Sequence, residues 1–297
     1  MLSGSSPTVR GMLWMAAAGL SFTVLNATMK MLALELDPWL VGFLRYLLGG
    51  MVMLVPALRL GVRELWPKAP KLQLVRCLFH SGGMMFWFAA LPLVTLTELT
   101  AIGFSGPIFI CLGAVLFLKE RMTGARWVAV LVGFTGVMLV VHPFGESGFS
   151  GVSKGTLLML ASAPVFAASF LVAKVLTRHE RSDIMVLWQH LLVSLVLLPF
   201  ALAAWAMPSP AQWAWLIGCG FVGAGGHYCL TRAFRVADIS AVQSVKFLEL
   251  VWAAILGFFM FGTLPAGWTL AGGIVILMST LWLARRESRI SSPGKVR

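Results

Sequence analysis

Along this chain, long apolar stretches alternate with short polar links, ten times over. A helix needs about 20 mostly apolar residues to cross the hydrocarbon core of a bilayer. The stretches meet that requirement and are too long for barrel strands, so the pattern predicts ten transmembrane helices. They run Gly11–Leu32, Pro38–Leu58, Leu72–Leu91, Leu96–Leu118, Ala125–His142, Gly155–Leu176, Asp183–Ala206, Ala211–Phe234, Ile239–Gly262 and Ala266–Ala284. The longest link, Val141 to Lys154, is rich in Gly and Ser.

The last five stretches echo the first five at a shift of about 144 residues. Arg10-Gly11-Met12-Leu13 lies over Lys154-Gly155-Thr156-Leu157, Phe22 over Phe166, and Lys30 over Lys174. Arg45 and Tyr46 lie over Gln189 and His190. At a shift of about 142, Cys77, Phe79, Gly83 and Val94 lie over Cys219, Phe221, Gly225 and Val236. An odd number of spans per half puts the halves in opposite orientations. The expected fold is therefore all-α and polytopic: two inverted five-helix repeats, 1–143 and 144–297, around a central cavity.

Composition agrees. Of 297 residues, 59% are hydrophobic and 11% charged, against about 25% charged in soluble domains. A net charge of +12 would by itself suit nucleic acid, but its placement argues otherwise. Nineteen of the 23 basic residues fall on alternate links: Arg10, Arg59 to Arg76, Lys119 to Arg126, Lys174 to Arg181, Arg232 and Arg235, and the tail from Arg285. The other links carry Glu35, Asp37, Glu146 and Lys154. The positive-inside rule then puts both termini in the cytoplasm. Trp39, Trp66, Trp205, Trp213 and Trp268 lie near span ends, as an aromatic belt requires. The first span carries Asn26 and Lys30, which fits a retained helix better than a cleaved signal. Cys77, Cys111, Cys219 and Cys229 lie inside apolar spans without metal or CxxC spacing. They read as small packing residues, and no metal site or cofactor is expected. There is no phosphate-binding loop, GxSxG or HExxH, so ATP does not drive this chain and no ATPase subunit is implied.

Three short motifs carry a family resemblance. They are Leu40-Val41-Gly42-Phe43-Leu44-Arg45 in span two, Pro107 followed by Glu120, and Gly133-Phe134-Thr135-Gly136-Val137 in span five. With the ten spans in two halves, they resemble the drug/metabolite transporter superfamily, and within it the EamA-type exporters. The second half departs, with Leu250 and Thr263 where that pattern has a Pro and a Glu. The resemblance implies efflux of amino acids, aromatic ones above all, or related metabolites across a bacterial inner membrane. It also implies a cavity lined by spans one, three, four, six, eight and nine.

Ionisable residues at membrane depth are costly and are functional candidates by default. Arg45 could anchor a carboxylate, but a structural pairing, for example with Glu98, is favoured. Lys246 and Glu249 stand three apart in span nine and can pair on one face, as packing or as a switch. His80, His190 and His227 suit a proton relay, although any single one is more often a packing histidine. His80 is the strongest candidate, because Ser81-Gly82-Gly83 beside it leaves room for a ligand and Trp87 follows on the same face. His227 follows a Gly-rich run and precedes Tyr228. Asn26, Ser105, Ser162 and Gln243 could line the cavity or glue helices together. Pro107 and Pro164 could kink their spans, and with Arg45 and Glu120 they form the structural or gating set.

The reading is a secondary exporter that moves amino acids or related small metabolites by alternating access. Three rivals fit less well. A membrane enzyme lacks a clustered catalytic set, a channel lacks a continuous polar helix face, and a nucleotide-sugar importer would want more basic residues at depth.

Overall fold

The computed structural model describes residues 6–59, 61–90, 105–141, 154–261 and 267–290, and residues 93 and 103 singly. Among these the chain is helical: α1 Pro7–Leu32, α2 Pro38–Leu58, α3 Pro70–Ala90, α4 Gly106–Leu118, α5 Gly124–Val141 and α6 Lys154–Leu176. There follow α7 Ser182–Ala203, α8 Pro210–Val236, α9 Ile239–Lys246, α10 Leu248–Phe261 and α11 Gly267–Ile290. Four of them, α1, α2, α6 and α7, are each long and apolar enough to cross a membrane alone.

Helix starts follow from local chemistry. Ser6, Asp37 and Ser209 each precede a proline, whose missing N–H costs nothing in a first turn. Each side chain accepts a free amide: Val9 N at 3.3 Å, Trp39 N at 2.8 Å and Gln212 N at 3.3 Å. Gln212 Oε1 accepts from Ser209 N in return, which completes a capping box. Helix α4 ends where Lys119 turns left-handed, at φ 55°.

The structure corrects three expectations. The ninth span is not one helix, because it is interrupted at Phe247 between α9 and α10. Pro107 sits in the first turn of the described α4 rather than at an interior kink. Pro164 does lie inside α6. Arg76 is no link residue, since it stands inside α3, 1% exposed. Glu98, Glu146 and Thr263 lie outside the described residues.

Helices of one half pack on those of the other. The main partners are α1 with α8, α3 with α6, α2 with α7, and α5 with α11. The last pair meets through glycines. A Cβ on Gly136 would stand 2.8 Å from Ile276 Cγ1 and 2.9 Å from the Gly272 carbonyl. One apolar cluster, with Met12, Leu176, Met185, Phe234 and Ile239, closes the end that bears the basic links. A second, with Leu32, Leu40, Phe88 and Leu216, closes the opposite end.

Candidate functional site

Between these two clusters, α2, α3, α7 and α8 bring four rings together. Tyr46 Oη and His80 Nε2 are 2.7 Å apart. The Tyr46 ring lies 5.2 Å from His190 and 6.4 Å from His227. His227 is 5.6 Å from His80 and 5.3 Å from His190. Phe22 from α1 and Phe166 from α6 close the cluster, at 5.0 Å from His227 and 5.4 Å from His80. Tyr46 and the three histidines are all buried. A small residue makes the approach of α7 to α2 possible, because a Cβ on Gly49 would fall 2.4 Å from His190 Cδ2.

Two buried arginines flank the rings. Arg45 stacks on Tyr46, its guanidinium carbon 4.0 Å from the ring centroid. Arg76 donates to the Met185 carbonyl at 3.2 Å and to Gln189 Oε1. Gln73 donates to the same carbonyl at 2.8 Å. Arg76 is thus held by backbone and amide oxygens of α7. Its Nε is left buried without a hydrogen-bond partner, as are Arg45 Nε and Nη1. So are His80 Nδ1, His190 Nε2 and His227 Nδ1. His190 Nδ1 contacts the Val186 carbonyl at 2.9 Å, so it carries the proton and leaves Nε2 as an acceptor. Buried polar atoms normally have partners. This group gathers several unpartnered donors and acceptors among mutually packed aromatic rings.

The sequence candidates divide. His80 and His227 stand in the cluster, and His190 joins them. Gln243 is buried with Oε1 unpartnered on α9. Trp87 lies beside Phe88, 5.2 Å between centroids, toward the opposite apolar cluster. Ser162 bonds back to the Met159 carbonyl at 2.7 Å, within its own helix. Ser105 occupies the cap position of α4, and Asn26 is exposed on α1. The room expected beside Gly83 is filled, because a Cβ there would meet the Phe166 ring at 2.8 Å. Tyr228 points away from the rings, edge-on to Trp14 at 6.3 Å. Lys246 Nζ lies 5.3 Å over Phe170, and Glu249 packs its Cγ against Gly19. No ion pair joins those two, and the interruption at Phe247 falls between them.

At the end with the basic links, charged side chains of each half cap helices of the other. Glu120, between α4 and α5, accepts from Ile239 N and Ser240 N at 3.1 Å each and from Ser240 Oγ at 2.8 Å, capping α9. Arg126 binds Asp238 at 3.1 Å and Ser240 Oγ at 3.3 Å beside it. Glu180, between α6 and α7, accepts from Lys68 N and Ala69 N just ahead of α3. Burial raises the Glu180 carboxyl above its ordinary pKa, and those amides partly offset the rise. Lys174 donates to the Phe234 carbonyl at 2.6 Å, which satisfies the end of α8.

Sequence reasoning missed Tyr46, Arg76 and Glu180. Only Tyr46 left a signal, its repeat alignment with His190.

The family model described as the EamA-like transporter family matches residues 9–142 and again 153–285. A riboflavin transporter of Rhizobium johnstonii is 34% identical over 287 residues, 96% of this chain and 94% of the relative. An S-adenosylmethionine uptake transporter of Rickettsia bellii is 28% identical, covering 95% and 96%. The pseudopaline exporter CntI of Pseudomonas aeruginosa is 28% identical, covering 93% and 96%. A protein crystal structure superposes with a TM-score of 0.81 at 19% identity, over 94% of this chain and 98% of that one, and so shares the fold. None of these relatives is named as an amino-acid exporter, the role that the resemblance implied.

Proposed function

Because the chain belongs to the EamA-like transporter family, and is a membrane transporter rather than an enzyme, we propose that it carries a small metabolite with a flat nitrogen heterocycle and a polar tail. The observation that carries this reading is the ring cluster at the centre. Tyr46, His80, His190 and His227 offer aromatic faces to a planar ring. The unpartnered atoms of Arg45 and the imidazoles suit its ring nitrogens and carbonyls. Riboflavin and S-adenosylmethionine, the cargoes named for two relatives, both have this design.

The cross-pairing of α1 with α8 and α3 with α6 supports two inverted halves, at 1–143 and 144–297. Rocking of the halves about the ring cluster would expose it to one side at a time. The link charges support a bacterial inner-membrane location with both termini on the cytoplasmic side. Glu120, Arg45 and Pro164 belong to the moving frame. Amino-acid export is the second reading. It is favoured by Lys246 and Glu249, which bring both charges of a zwitterion to one short stretch of chain.

The test is counterflow in proteoliposomes preloaded with unlabelled riboflavin, S-adenosylmethionine or tryptophan. Saturable exchange of the first or second, lost in His190→Ala, supports the heterocycle reading. Exchange of tryptophan alone overturns it in favour of amino-acid export. An imposed pH gradient, applied on either side, reads out coupling and direction.

A further inference from the structure

Away from the ring cluster, a cleft of about 280 Å³ opens where the first turn of α7 meets the last turns of α8. Its walls are Arg181, Ser182, Asp183, Tyr228, Arg232 and Arg235. Tyr228, Arg232 and Arg235 follow the four-then-three spacing of one helix face. Three guanidinium groups stand against one carboxylate. Arg181 and Asp183 bind each other through two contacts, at 3.1 and 3.2 Å, and neutralise one another. Two positive charges are left over.

Those two arginines are anchored differently. Arg235 is fixed by the carbonyls of Thr177, at 3.2 Å, and of Glu180. Arg232 lies 5.7 Å over Trp14, and its Nε is buried without a partner. At the N-terminus of α7, Arg181 at the cap position supplies no side-chain acceptor and Asp183 Oδ1 accepts from Ile184 N at 3.1 Å, which leaves the amides of Ser182 and Asp183 without an intrahelical partner beside the cleft. An independent observation marks the spot as a ligand site. Ser182, only 3% exposed, lines the cleft with an unpartnered hydroxyl. A buried hydroxyl beside two spare cations and a helix N-terminus is matched by a tetrahedral oxyanion.

We propose that this cleft binds a phosphate group, held by Arg232, Arg235, the Ser182 hydroxyl and the amides of Ser182 and Asp183. The two spare charges match a phosphate dianion. The link charges put the cleft on the cytoplasmic side, where a free phosphate ester and a lipid headgroup both have access. The site is separate from the cargo cluster, yet α7 carries His190 and α8 carries His227. Bound phosphate therefore ties together two helices that build the transport site and slows their relative motion.

The test is binding of labelled inorganic phosphate to the full chain in phosphatidylcholine nanodiscs. Saturable binding at one site per chain is expected. Arg232→Gln should weaken it about tenfold and Ser182→Ala severalfold. Ser182→Ala, a small change, covers the case in which the arginine variant fails to fold. If free phosphate does not bind, discs doped with labelled phosphatidic acid identify the other source. Retention of that lipid by the wild type and its loss in Ser182→Ala uphold the site with a headgroup as occupant. Binding of neither, or equal binding by wild type and both variants, overturns the proposal. Riboflavin counterflow is read in the same discs' protein after reconstitution, so failure of the phosphate site and failure of the cargo reading are seen separately.

Discussion

Tyr46 is the residue on which the centre turns. Its hydroxyl meets His80 at 2.7 Å, and its ring carries Arg45 on one side and faces two more histidines. Tyr46→Phe removes one oxygen and leaves His80 Nε2 buried without a partner, at a cost of about 1–3 kcal/mol. The variant should still reach the membrane, melt a few degrees lower in detergent, and lose most cargo exchange. Thermal unfolding and counterflow on one preparation check this, and full exchange would reduce the contact to packing. The histidines stood out in the sequence because ionisable groups in apolar spans are rare. Arg76 did not, because it follows closely on Lys68 and Lys71 and looks like one more link charge. What buries it is the Met185 carbonyl and Gln189, both in the other half of the chain.

At the scale of elements, three helices start where a capping residue precedes a proline, at Ser6, Asp37 and Ser209, whereas hydropathy alone put these starts at Gly11, Pro38 and Ala211. The interruption at Phe247 was not legible, since Val245-Lys246-Phe247-Leu248 contains no Gly or Pro to announce it. The cap of α9 was hidden for a related reason. The carboxylate that satisfies it comes from Glu120, more than a hundred residues earlier. Glu120→Ala should destabilise the fold by about 1–2 kcal/mol, the usual loss of a capping side chain. Glu120→Gln, which keeps an acceptor oxygen, should lose less. Chemical or thermal unfolding of the two variants side by side checks the order, and equal stability to wild type would dismiss the cap.

At the scale of the molecule, the halves grip each other along their lengths, and close backbone approach sets how tightly. Gly136 faces Ile276 and the Gly272 backbone with no space for a side chain. Gly136→Leu should push α5 from α11 at a cost of about 1–3 kcal/mol or more and yield aggregated protein on size exclusion. Gly136→Ala should fall between that variant and wild type. The sequence by itself determined the count of spans, the alternation of basic links and the duplication, because lipid demands long apolar helices and a repeat is written in residue spacing. It also pointed to polar residues at depth. Only the tertiary structure decided which of them meet. Tyr46 and His190, equivalent in the repeat, meet with ring centroids 5.2 Å apart and planes tilted by 59°, while Tyr228, one residue from His227, looks elsewhere. Adjacent residues on a helix point about 100° apart. Which direction is the centre depends on how helices from both halves pack, and that packing is a sum of contacts between residues far apart in the chain.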